Sequence, residues 1–192
     1  MFDTIFFGEN EIRDIYENNI PKDFHESEIK PLKKIYAMRD EGNYSCVGFF
    51  KNKVLNAYAF VCYKNERDYI LLDYFAVSEK LRGNGIGREC LKGLNDIFGN
   101  SKGIILETED PAFSFDDTDM KIRNKRIEFY EKNGFVRHNI SSSIYRANYI
   151  IMSRRKDRIK DKDDNIYKYT EKIYKVMFSE NEYRENVVLK KL

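Results

Sequence analysis

Three of the ten glycines fall within five residues, in Arg82-Gly83-Asn84-Gly85-Ile86-Gly87, between an apolar stretch and a helix-patterned one. Where glycines remove the side chains, successive backbone N–H groups can face outward unobstructed, and a helix N-terminus adds roughly half a positive charge from aligned peptide dipoles. Arg82 supplies a fixed cation for a further anionic oxygen. Such a loop suits a diphosphate. A dinucleotide fingerprint, G-x-G-x-x-G, fails because its last position falls on Arg88 or Cys90, and no Gly-Lys-Ser/Thr closes a Walker loop. Two carboxylates also stand out: Asp73, the only charge in the apolar run 69–77, and Glu107, inside the apolar run 103–108. A carboxylate in such a strand is costly unless it is paired or works as an acid or base, so an ion pair competes with catalysis at each.

The elements that position these residues follow from periodicity. Residues 2–7 read as a strand and 10–18 as a helix with Ile12, Ile15 and Tyr16 on one side, after which Pro21 breaks the chain. Residues 27–38 carry Ile29, Leu32, Ile35 and Tyr36 at helical spacing, with Pro31 in the first turn. Segments 44–50 and 54–63, joined by Lys51-Asn52-Lys53, predict a hairpin, with a turn at 65–68 before the strand 69–77, which is apolar enough for burial on both faces. Residues 85–98 place Ile86, Cys90, Leu91 and Leu94 on one stripe, with Gly99 as C-terminal cap. A strand at 103–108, an acidic loop at 109–119, a helix ending at Asn133-Gly134, and strands near 135–138 and 143–152 follow. The order is a mixed α/β (α+β) one, predicting a single domain over 1–152. Over 153–192 the prediction is a charged linker and an amphipathic helix with Tyr169, Ile173, Tyr174 and Met177, docked on the core or on a second copy in a homodimer.

Composition narrows the partners. Lys plus Arg (34) nearly balance Asp plus Glu (32) in 192 residues, so no global field favours nucleic acid or an anionic membrane. The tail cations Arg154-Arg155-Lys156 are diluted by Asp157, Asp161, Asp163 and Asp164. Cys46, Cys62 and Cys90 are dispersed and odd in number, with only His25 and His138 as imidazoles, so neither a disulfide framework nor a metal site is expected. No leader pattern and no run of about 18 apolar residues is present, and the expectation is a soluble, cytoplasmic protein.

Arg82-x-x-Gly85-x-Gly87 matches [R/Q]-x-x-G-x-[G/A], and Tyr130-Glu131-Lys132-Asn133-Gly134-Phe135 is similar to a Y-x-x-x-G-F helix end. On these motifs the chain resembles the GNAT superfamily of N-acetyltransferases over residues 2–152. The resemblance implies a mixed central sheet with splayed fourth and fifth strands, flanked by helices; the C-terminal helical extension lies outside it and rests on the periodicity alone. It implies acetyl-CoA as co-substrate in the gap and direct attack by a primary amine. Gly83, Asn84, Gly85, Ile86 and Gly87 with Arg82 would hold the diphosphate, Phe75, Ala76 and Val77 the pantetheine arm, and Tyr130 would be the general acid. Asp73, Glu107 and a water remain open as the base. Many relatives have Asn seven residues before this tyrosine, where this chain has Arg123; Arg123 and Arg126 share a helix face with Tyr130, to approach phosphates, to order the acidic loop or to lie exposed.

Glu107, Glu109, Asp110, Asp116, Asp117 and Asp119 gather near the expected acceptor mouth and would attract a cationic amine, whether a small molecule or a peptide or protein amine; a solvated acidic loop is the competing reading. Two function classes result: an amine-acetylating enzyme and a non-catalytic acyl-CoA sensor or interaction module. Turnover with an amine separates them.

Overall fold

The computed structural model describes residues 2–64, 68–157 and 159–192; of the turn expected at 65–68, residues 65–67 lie outside them. Among the described residues, one sheet holds β1 (Asp3–Phe6), β2 (Tyr44–Lys51), β3 (Val54–Cys62), β4 (Tyr69–Val77), β5 (Gly103–Glu109), β6 (Val136–Ile144), β7 (Ala147–Arg155) and β8 (Val187–Lys191). Their spatial order is β1-β2-β3-β4-β5-β7-β6-β8, and β4 with β5 is the parallel pair. The helices are α1 (Glu9–Asn18), α2 (Ile20–Asp23), α3 (Leu32–Asp40), α4 (Ile86–Ile97), α5 (Asp117–Lys132), α6 (Asp163–Met177) and α7 (Glu180–Asn186).

Strand alternation gives the sheet two apolar faces, and helices cover both. Tyr44, Phe60, Leu71 and Ile105 point to the layer of α1, α3 and α6, which brings Ile12, Ile35, Ile173 and Tyr174. Val61, Ile70, Leu72 and Leu106 point to the layer of α4 and α5, which brings Cys90, Leu91, Leu94, Ile127 and Tyr130.

Local chemistry explains where the elements depart from the periodicity. Pro21 does not break the chain but sits in the first turn of α2, where its missing N–H costs nothing. Pro31 is the residue before α3, so that helix begins at Leu32 and the preceding residues form a separate 3-10 turn, Glu26–Glu28. Gly99 is not a left-handed cap, because α4 closes on Phe98; Gly134 takes that role for α5, with φ +85° and Phe135 N–H donating to Tyr130 O. The final hairpin turns at Tyr145 and Arg146, both left-handed, where no Gly, Asn or Asp announces a turn.

Residues 153–192 hold more than a linker and one helix. β7 runs on to Arg155, and α7 and β8 follow α6, with β8 covering the edge of β6. α6 lies on the core, burying Ile166, Ile173, Tyr174 and Met177, at roughly 2 kcal/mol for each such side chain. Its first turn is tied down by His138, whose Nδ1 donates to Asp163 Oδ1 at 2.7 Å while Nε2 meets Ser153 Oγ at 2.7 Å. Ser153 is buried, so this Ser-His-Asp row is a clamp rather than a nucleophile. Among the described residues no helix is long and apolar enough to cross a membrane.

Candidate active site

β4 and β5 pair only from Tyr69↔Gly103 to Leu72↔Leu106. Beyond that, β4 stays with β3 as far as Val77 and β5 stays with β7 as far as Glu109, so the two parallel strands part. The parting has a local cause: the β3–β4 register steps from Val61↔Leu72 to Phe60↔Tyr74, leaving Asp73 as the extra residue of a β-bulge, which bends its strand. A cleft of about 1210 Å³ occupies the gap and is lined by both strands, the glycine loop, α5 and the segment after α6.

One end of the cleft presents unpaired backbone donors. Gly83 and Gly85 have φ of +83° and +79°, and nothing lies within 4 Å of where a Cβ would stand. Gly85 caps α4 without a side-chain bond, and the N–H groups of Gly85, Ile86, Gly87 and Arg88 meet no acceptor among the described residues. Gly87 is glycine for another reason: a Cβ there would meet Phe129 at 3.0 Å, so it sets the approach of α4 to α5. Ser78 N–H bonds Asn56 O, and by two-residue alternation the backbone groups of Ala76 also face β3 while those of Phe75 and Val77 face the gap. This row of open amides fits a diphosphate followed by an amide-bearing arm, the chemistry of coenzyme A. Ala76 can contribute no backbone bond to such an arm. Arg82 is committed within the protein, its Nε donating to Val77 O at 3.0 Å and its Nη2 to Asp23 at 2.6 Å. Asn84 is exposed on the loop, and Arg88 and Lys125 line the cleft with no ion pair among the described residues.

Tyr130 enters from the α4–α5 face of the sheet. The glycine cap at Gly134 ends α5 just after it, its ring packs on Phe129 and Phe135, and the residue is 8% exposed. Its hydroxyl lines the cleft without a hydrogen-bond partner among the described residues. Burial, opposed by the Arg126 charge, pushes its pKa up to about 12, so it is a proton donor at neutral pH.

The two strand carboxylates lie on the opposite face, and their surroundings differ. Asp73, with a side chain 4% exposed, has neither oxygen free: Lys30 Nζ donates to Oδ1 at 2.7 Å, and Tyr44 hydroxyl donates to Oδ2. Glu107 accepts from Tyr174 hydroxyl and, at 3.1 Å, from Ser142 Oγ, both on Oε1. Its Oε2 has no partner among the described residues and opens on the cleft. Burial, partly offset by the Tyr174 bond and the Lys30 charge, raises its pKa.

Three residues of the cleft carry no sequence signal. Glu28 sits in the 3-10 turn that Tyr74 straps to β4, through bonds of 2.7 Å to Glu28 O and 2.8 Å from Lys30 N–H. Its pKa is raised by burial and by Glu109. Lys30 is masked as a polar turn residue, and Tyr149 on β7 is indistinguishable in sequence from a core aromatic.

The acidic loop serves mainly itself. Asp110 and Asp116 accept from nearby backbone N–H groups as caps, and α5 begins at Asp117, inside the expected loop. Of its acids, Glu107 and Glu109 line the cleft. Arg123, with a side chain 6% exposed, holds the loop: it pairs with Asp119 at 2.9 Å and Glu109 at 3.3 Å and donates to Asp110 O at 3.0 Å. Arg126 pairs with Glu109 at 2.6 Å. Removing Arg123 takes the cation from Asp119 and the donor from Asp110 O, while Arg126 still pairs with Glu109, so Arg123→Ala, which breaks the network around a buried guanidinium, is expected to cost roughly 3 kcal/mol. A fall of about 6–12 °C in the thermal midpoint, followed by circular dichroism, is the corresponding shift.

Residues 35–137 match the family model for the acetyltransferase (GNAT) domain. No curated protein sequence matches the chain. Among solved structures, a protein from Bacteroides thetaiotaomicron assigned to the GNAT family of acetyltransferases superposes with a TM-score of 0.70 at 19% identity, over 93% of this chain and 98% of that one. The ribosomal-protein-S18-alanine N-acetyltransferase from Escherichia coli gives 0.57 at 21%, over 81% and 94%. An aminoglycoside 6'-N-acetyltransferase complexed with coenzyme A gives 0.56 at 16%, over 84% and 99%.

Proposed function

The chain belongs to the acetyltransferase (GNAT) domain family, and from that premise we propose that it is an acetyl-CoA-dependent N-acetyltransferase acting on a cationic primary amine. One observation carries the reading: at the parting of β4 and β5, an unpartnered hydroxyl (Tyr130) and an open carboxylate oxygen (Glu107) approach from opposite faces of the sheet, next to a row of unpaired N–H groups. The N-acetyltransferase names of two structural relatives support the amine as acceptor.

Bound acetyl-CoA supplies an acetyl group on a thioester. The backbone groups of Phe75 and the N–H of Val77, whose carbonyl already accepts from Arg82, would hold its arm in the gap, and the glycine loop would hold the diphosphate. Glu107 takes the proton that turns the ammonium into an attacking amine and passes it to solvent. As the N–C bond forms and the C–S bond breaks, Tyr130 protonates the sulfur and is restored by the second proton leaving nitrogen. Asp73 is a positioning residue: paired with Lys30, it fixes the charge beside Glu107.

The test is release of free thiol from acetyl-CoA across a panel of amines. Turnover supports the enzyme, whereas acetyl-CoA binding with no turnover on any amine supports a sensor. Tyr130→Phe is expected to reduce kcat by about 10- to 100-fold at unchanged acetyl-CoA affinity, the low end for an acid because a thiol of pKa about 8.5 is already a good leaving group. A kcat within the error of the parent's would remove Tyr130 from the mechanism.

A further inference from the structure

Charge is unevenly settled around the acceptor end of the cleft. Asp23, Asp73, Glu109 and Glu182 each face a cation, at 2.6 to 3.0 Å. Glu28 and Glu107 form no ion pair among the described residues, where the Arg126 charge acts on the first and the Lys30 charge on the second only from beyond ion-pair distance, and they stand on opposite walls, one strapped to β4 and the other on β5. Tyr149 lies within reach of both charges: burial, then Glu28, then Glu107 keep its hydroxyl protonated. The place of transfer is set independently, by the unpartnered hydroxyl of Tyr130, a residue more than nine-tenths buried yet lining the same cleft.

Resting on the function proposed above, we infer that the acceptor is a diamine: one nitrogen loses its proton to Glu107 and takes the acetyl group, while the second remains an ammonium against Glu28. A monoamine would satisfy only one of the two carboxylates and leave the other partly desolvated and unpaired, the costly condition for a buried charge. Glu28 is thus a specificity residue, and the length of the acceptor is set by the span between the walls. A peptide N-terminus with no second cation fits less well than a linear diamine or a diamino sugar.

The experiment compares diaminobutane with butylamine by kcat/KM, and by calorimetric binding to the protein loaded with coenzyme A. The diamine is expected to be preferred by roughly 30-fold in both, the worth of one hydrogen bond to a charged group. Glu28→Gln keeps the capping bond to His25 N–H, since Gln can accept there, and is expected to bring the ratio close to one. Glu28→Asp withdraws the carboxylate by one methylene and is expected to move the preferred diamine to the next longer homologue. Equal handling of both amines by the parent, or a ratio that survives Glu28→Gln, overturns the inference and leaves the acetyltransferase reading standing. Absence of turnover on either amine, with acetyl-CoA bound, overturns both.

Discussion

Glu107→Gln is expected to lower kcat by ~10²–10⁴-fold while acetyl-CoA affinity stays within about twofold, the signature of a lost proton acceptor rather than a lost binding contact. The substitution is nearly isosteric, and its amide oxygen can still accept from Tyr174 and Ser142 as Glu107 Oε1 does. What disappears is the open Oε2 facing the cleft. An alkyl ammonium with a pKa near 10.4 is almost wholly protonated at neutral pH, so removing that proton is the harder of the two transfers, which is why this effect should exceed that of Tyr130→Phe. The pH profile is a second readout. Because burial raises the Glu107 pKa, the basic form is lost as pH falls through a value above the ordinary glutamate range. An acid limb displaced upward in kcat/KM for the parent, and missing in Glu107→Gln, is the expected pair of profiles. If the variant kept the same limb, the base would be another group, and Asp73, with both oxygens engaged, would need to be released from Lys30 to serve.

The second large effect concerns the donor. Gly85→Asp is expected to weaken acetyl-CoA binding by about 100-fold or more in titration calorimetry, about 2.7 kcal/mol. No atom lies within 4 Å of the new Cβ, so the side chain fits, although its φ of +79° costs roughly 1–2 kcal/mol for a residue other than glycine. Once there, a carboxylate at the cap of α4 accepts from the N–H groups of Gly87 or Arg88 and places a negative charge where the diphosphate should lie. Gly85→Asn separates the two contributions, because it keeps the shape and the left-handed tolerance without the charge; its loss should be clearly smaller. Unchanged affinity in Gly85→Asp would show that the diphosphate is held elsewhere.

The glycine-loop half of the candidate site was legible because it is local. The glycine loop, the strand before it and the Tyr130–Phe135 helix end are contiguous segments whose backbone conformations follow from their own residues: glycine where φ is positive, a near-continuous apolar run where a strand is covered on both faces. The C-terminal extension was legible only as an amphipathic helix. β8 escaped notice because Val187–Lys191 is short and two of its five residues are charged, and the turn at Tyr145 escaped because two side-chain-bearing residues are held left-handed by the strands they join.

By itself, then, the sequence determined the architecture and the cradle: a mixed sheet with helices on both faces and a row of open N–H groups at the start of α4. Only the tertiary structure separated the two carboxylates. It distinguished Asp73 from Glu107 by giving the first Lys30 and Tyr44 as partners and the second one open oxygen. It also brought Glu28 and Tyr149 to the same cleft from segments separated by 121 residues, and set the buried Tyr174 behind Glu107 as a donor to its Oε1. Whether a carboxylate is paired or free depends on which distant side chain packs beside it, and neither the residue type nor its spacing along the chain carries that information.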